Sequence, residues 1–133
     1  MAARLIRDEN RTRVRHKLVY YLKVTDRQTN RELGRLGDIH TEGMLLFTPE
    51  PLIEREVYEL LLELPKSLAE IEDSPELPLK VMALWSRPGP NLSNYHENGL
   101  LFLNLTSQAI RTIQRLTEIF VMPGRDPALP QIF

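Results

Sequence analysis

The chain has no cysteine in its 133 residues, so disulfide staples, thiolate metal sites and a cysteine nucleophile are all excluded. It has no apolar run near the roughly 20 residues that span a bilayer, and Met1-Ala2-Ala3-Arg4-Leu5-Ile6-Arg7-Asp8-Glu9 lacks the apolar stretch of a signal peptide. A cytoplasmic protein without a membrane span is the expectation. No Gly-rich phosphate loop, nucleophile with an adjacent base, or recognisable pair of carboxylates is present, which points away from an enzyme. The three histidines, at 16, 40 and 96, have no ligand spacing, so neither a metal nor a cofactor is expected.

What is present is 42% hydrophobic and 26% charged residues with a net charge of -1, as in one soluble globular domain. The charge is unevenly divided. Residues 1–17 carry six Arg or Lys against two acids, whereas residues 50–76 carry nine acids against Arg55 and Lys66. A basic arm and an acidic flank result, and a compact anion would seek the arm. The flank reads as a solvated face or a docking surface for a basic partner.

Residues 16–25, HKLVYYLKVT, are β-branched and aromatic and read as a strand. Asp26-Arg27-Gln28-Thr29-Asn30 is a turn, and residues 33–39 return as a second strand, followed by a third from Gly43 to Phe47. Residues 55–64, REVYELLLEL, have helical propensity but no clean helical face, and Pro49, Pro51 and Pro65 confine them, so a fourth strand is expected. Residues 66–78 read as a loop, residues 79–85 as a strand, and residues 95–105 as a last strand centred on Gly99-Leu100-Leu101-Phe102. Helical periodicity follows: Thr106 or Ser107 can cap, Ile110, Ile113, Leu116 and Phe120 share a face, and Pro123-Gly124 ends the run. Trp85 and Phe102 are expected in the core. Six short antiparallel strands close most easily into a small barrel, with the helix covering one opening. The fold expected is therefore mainly β: a six-stranded antiparallel β-barrel with a C-terminal α-helix, made of an arm (1–15), a barrel plus helix (16–122) and a tail (123–133).

Two motifs stand out, Arg11-Thr12-Arg13-Val14-Arg15 before the first strand and Asp38-Ile39-His40-Thr41-Glu42-Gly43 between the second and third. The 22 residues between Arg15 and Asp38 are the length of one hairpin, which should return the second motif to the first. Arginine forks bind phosphate or the O6 and N7 edge of guanine bidentately and can stack on a base. Asp38 can accept from the N1–H and N2–H₂ edge of guanine, and Gly43 allows a positive φ or a close backbone approach. On an extended chain Arg13 would point away from Arg11 and Arg15, towards solvent or an interface.

This arrangement resembles the PilZ domain family, whose pattern is Arg-x-x-x-Arg in a leader and, about twenty residues on, Asp or Asn-x-Ser-x-x-Gly on the barrel. Arg11 and Arg15 match the first part, Asp38 and Gly43 the second, and the likeness runs over residues 9–120, with Trp85, the Gly99 strand and the helix after it. One position departs: His40 stands where the family has serine. A neutral imidazole offers one donor and one acceptor but is larger than a hydroxyl, and Thr41 carries its hydroxyl one position along. The resemblance implies a bacterial receptor for cyclic di-GMP, with Arg11 and Arg15 on guanine and phosphate, and Asp38, His40 and Gly43 holding the ligand from the barrel. Arg13 and Thr41 are further candidates. Binding would order the arm and change the surface shown to a protein partner. The alternative is a PilZ-like interaction module, monomer or homo-oligomer, that has lost the nucleotide. A nucleic-acid polymer is not expected as partner, because the acidic remainder would repel a long polyanion.

Overall fold

The computed structural model describes residues 22–90 and 94–120. The arm, the expected strand residues 16–21, Pro123-Gly124 and the tail lie outside these. The elements run β1 (Lys23–Asp26), β2 (Arg31–Ile39), β3 (Gly43–Thr48), β4 (Val57–Glu63), α1 (Lys66–Glu72), β5 (Glu76–Pro88), β6 (His96–Phe102) and α2 (Ser107–Phe120). The strands form a closed barrel in the order β1-β2-β3-β6-β5-β4, antiparallel at every pairing and sealed by β4 against β1.

Alternation of apolar and polar residues decides the strands. In β4, Leu60 and Leu62 are buried while Glu59 and Glu63 are exposed, so a period of two prevails over the helical propensity of its leucines and glutamates. In β5, Leu77, Leu79, Val81 and Ala83 point inward by the same rule. The β1–β2 turn is held by Asn30, at φ 60°, whose N–H donates to the Asp26 carbonyl at 2.7 Å, and by the Asp26 carboxylate, which accepts from Gln28 N–H at 2.8 Å. Inside lie Val24, Leu36, Ile39, Met44, Leu46, Leu60, Leu62, Val81, Ala83 and Leu100, all fully buried. The helix α2 adds Ala109, Ile113 and Leu116 to this cluster and is capped by Thr106, whose hydroxyl accepts from Ala109 N–H at 3.0 Å.

Residues 66–78 are not a loop. The Pro65 carbonyl accepts the first helical bond of α1 from Ala69 N–H at 2.8 Å, Leu68 is buried against the core, and Asp73 ends the helix in the left-handed conformation at φ 56°. A second helix therefore interrupts the strands. It is tied to α2 by Glu72, which pairs with Arg115 at 2.8 Å. β5 then starts at Glu76 despite Pro78, because Pro78 pairs with Leu61 of β4 while pairing with β6 begins only at Val81. A proline is tolerated where a strand has one neighbour. On α2 the buried face is Ala109, Thr112, Ile113 and Leu116, and Ile110 is exposed rather than shared with Ile113.

One buried side chain organises the end of the barrel away from the β2–β3 turn. Asn98 is fully buried; its amide donates to the Leu46 carbonyl (3.0 Å) and the Thr48 hydroxyl (2.8 Å), and its oxygen accepts from Leu52 N–H (3.2 Å). The segment after β3 is thereby fastened to β6. Asn98→Leu strands these groups without water, and an unsatisfied buried group costs about 1–3 kcal/mol. The variant is expected to lose about 2–4 kcal/mol in urea denaturation, with an unchanged m-value.

Candidate ligand-binding site

The Asp38 motif owes its position to a bulge. Leu36 pairs with Leu46 and Asp38 with Leu45, leaving Gly37 as an extra residue in β2. Leu36 and Ile39, three apart, are consequently both fully buried, and Asp38 is turned to the outer wall. β5 carries a matching irregularity between Ala83 and Trp85. The two bulges flank a continuous outer row, Asp38–Leu45–Gly99–Trp85, across four strands. A second outer row, Arg35–Phe47–Glu97–Arg87, runs beside it.

Asp38 is only 8% exposed although it faces outward, and its Oδ1 accepts from Ile39 N–H at 2.9 Å. The chain then turns tightly: His40 N–H donates to the Gly43 carbonyl at 3.0 Å, and His40 Nδ1 accepts from Glu42 N–H at 3.4 Å. An acceptor Nδ1 places the proton of the neutral imidazole on Nε2. The Glu42 carbonyl accepts from Phe102 N–H at 3.0 Å, anchoring the turn to β6. Thr41 and Glu42 are exposed, His40 is half-buried, and Gly43 opens β3 opposite Leu101. Asp38, His40, Thr41 and Gly43 thus lie on one short hairpin. Arg11, Arg13 and Arg15 lie outside the described residues.

Trp85 is not a core residue. It is half-buried in the outer row, with the Arg87 guanidinium 4.8 Å from its ring centre and Arg87 also paired with Glu97 at 3.0 Å. The bulge before it reverses the alternation that would have sent it inward. Phe102, 8% exposed, is in the core as expected. The second row holds a feature that the motifs do not reveal: Phe47 and Tyr95 meet edge to face at 5.2 Å, beside a groove of about 400 Å³ that also takes in Arg35 and Glu32. The strand pattern does contain the signal for Phe47, since it alternates with the inward Met44-x-Leu46 pair. Among the described residues no three His, Asp or Glu side chains gather into a cation site, and no helix is long and apolar enough to cross a membrane.

The closed six-stranded barrel with its following helix has a PilZ-like fold. Among solved structures it is similar to the PilZ domain with c-di-GMP of YcgR from Escherichia coli, at a TM-score of 0.53 and 18% identity, covering 72% of this chain and 77% of that one. The likeness is one of fold. No protein-family model and no curated protein matches the sequence.

Proposed function

We propose that this protein is a receptor for cyclic di-GMP, binding it between the arm at 1–15 and the β2–β3 turn of the barrel unit at 16–122. The tail at 123–133 has no assigned part. The observation that carries the reading is the bulge that turns Asp38 outward on a barrel of PilZ-like fold, directly before the His40–Gly43 turn. A carboxylate in that place accepts from guanine, the turn's backbone admits a close approach, and Arg11 and Arg15 supply forks for phosphate and base. Such a protein signals rather than catalyses, and its output passes through a protein partner.

Contact of Arg11 and Arg15 with the ligand has a direct consequence. Trypsin cleaves after arginine, and a guanidinium engaged by phosphate on the barrel is withdrawn from the protease. Saturating cyclic di-GMP is expected to slow cleavage at Arg11, Arg13 and Arg15 at least several-fold in timed digests read by mass spectrometry. Equal rates with and without the ligand would count against closure of the arm.

His40 favours a second reading, an interaction module without the nucleotide, because it replaces the serine of the family pattern. The two readings part on His40→Ser. For a receptor, the smaller hydroxyl restores the pattern and removes bulk beside Asp38, so calorimetry should show binding at least as tight as in the parent chain. If neither chain binds, the interaction module is the better reading.

A further inference from the structure

We propose that the groove between Arg35, Phe47 and Tyr95 is a purine-base subsite, taking the second base of the cyclic dinucleotide whose first base is held at Asp38. This rests on the receptor reading above and adds residues that neither arginine pair nor turn motif contains. The groove lies on the same outer wall as Asp38, on the far side of the Phe47 ring. Arg35 and Asp38 both face the outer wall because Gly37 is the bulged residue between them, and Phe47 stands two residues from Leu45, the partner of Asp38. That separation is about 7 Å along the strand and one strand spacing of about 4.8 Å across it.

Gly37 seats the Phe47 wall of the groove, and Gly34 is the glycine of its lining. A Cβ at Gly37 would stand 2.6 Å from Phe47 Cζ and 2.8 Å from Cε2, so the ring lies directly over the bare backbone of the bulge. Tyr95 meets this ring edge to face, at 65° between planes, and the two form an aromatic corner rather than a flat core contact. Glu32 holds the Arg35 guanidinium through two bonds, Nε to Oε2 at 2.7 Å and Nη2 to Oε1 at 3.3 Å. A guanidinium gripped along one edge keeps a defined plane, and guanidinium and aromatic faces are the surfaces on which bases stack. The space of about 400 Å³ has the exposed Asn94 at its margin, which supplies an amide for the polar edge of a base, whereas the Thr48 hydroxyl is engaged by Asn98 and by the Glu50 carbonyl. Aromatic walls with a planar cation and a polar rim suit a purine better than an aliphatic chain or a phosphate alone.

The test is a cyclic di-GMP titration of the full, isotope-labelled chain followed by NMR, together with Tyr95→Ala, Tyr95→Phe and Arg35→Ala. Ring protons of Phe47 and Tyr95 are expected to shift in step with the amides of residues 38–43. Tyr95→Ala should weaken binding about tenfold or more, the usual worth of one stacked base, while Tyr95→Phe keeps near-parental affinity. Arg35→Ala should weaken it by a similar factor. Shifts confined to residues 38–43, with unchanged affinity in Tyr95→Ala and Arg35→Ala, would overturn the subsite and leave the receptor standing. No shift at either place in the folded parent chain would overturn both.

Discussion

Asp38→Ala is expected to weaken cyclic di-GMP binding about a hundredfold, because a bidentate contact to a base edge carries about 1–3 kcal/mol and Asp38 is the carboxylate that the bulge turns onto the outer wall. The fold should survive. Among the described partners the carboxylate's bond is local, from Ile39 N–H to its own Oδ1 at 2.9 Å, and the loss of that bond costs about 1 kcal/mol. A variant with a melting temperature within a few degrees of the parent and binding lost is therefore the expected outcome, read by calorimetry and a thermal scan on one preparation. Arg15→Ala should act in the same direction. Arg15→Lys should not rescue it, since an ammonium keeps the charge but has no planar fork. If lysine restores full affinity, the arm acts by charge alone.

The largest effect on stability is expected at Gly34, which lies inside β2 where it meets β3. A Cβ there would stand 2.0 Å from the Phe47 carbonyl oxygen and 2.9 Å from Thr48 Cγ2. The first of these is backbone in a paired strand and cannot rotate away, so Gly34→Ala must push β2 and β3 apart. Overpacking usually costs about 1–3 kcal/mol, and a backbone clash belongs at or above the upper end. A melting temperature lowered by about 10 °C or more is expected. Gly37→Ala makes the useful contrast: its clash is with the tip of the Phe47 ring, which can turn, so a cost near 1 kcal/mol is expected. Equal melting temperatures for Gly34→Ala and the parent chain would show that the β2–β3 register is not as described.

The barrel is legible in the sequence because its strands obey a period of two. Residues 55–64 show this best, where helix-prone leucines and glutamates still alternate in and out. Three features escape such reading. α1 is a single short run between Pro65 and Pro75, too brief for a helical period to emerge, and it is stabilised by Leu68 against the core rather than by propensity. Pro78 looks like a strand breaker until its missing second neighbour is known. Trp85 follows a bulge, and a shift of one residue exchanges the two faces of a strand, so an apolar setting placed it inside when it stands outside.

The same bulge physics governs what could be read of the site. The spacing of Asp38 and Gly43 identifies a turn motif, but only the extra residue at Gly37 makes Asp38 and Arg35 neighbours on one face. Phe47 and Tyr95 come together from β3 and the approach to β6, across 48 positions of sequence, and no local pattern joins them. The acidic flank is only partly a solvated face. Glu72 has an 11% exposed side chain and is engaged by Arg115, so this acid joins the two helices. Exposed pairs such as Arg27 with Glu59 at 3.8 Å contribute little to stability.

Equilibrium dialysis of the folded full chain against labelled cyclic di-GMP, with Asp38→Ala dialysed in parallel, bears most directly on the receptor reading. Saturable uptake by the parent chain, competed by unlabelled ligand and nearly abolished in Asp38→Ala, is expected. Uptake that is absent in the parent chain, or equal in the two chains, would contradict it.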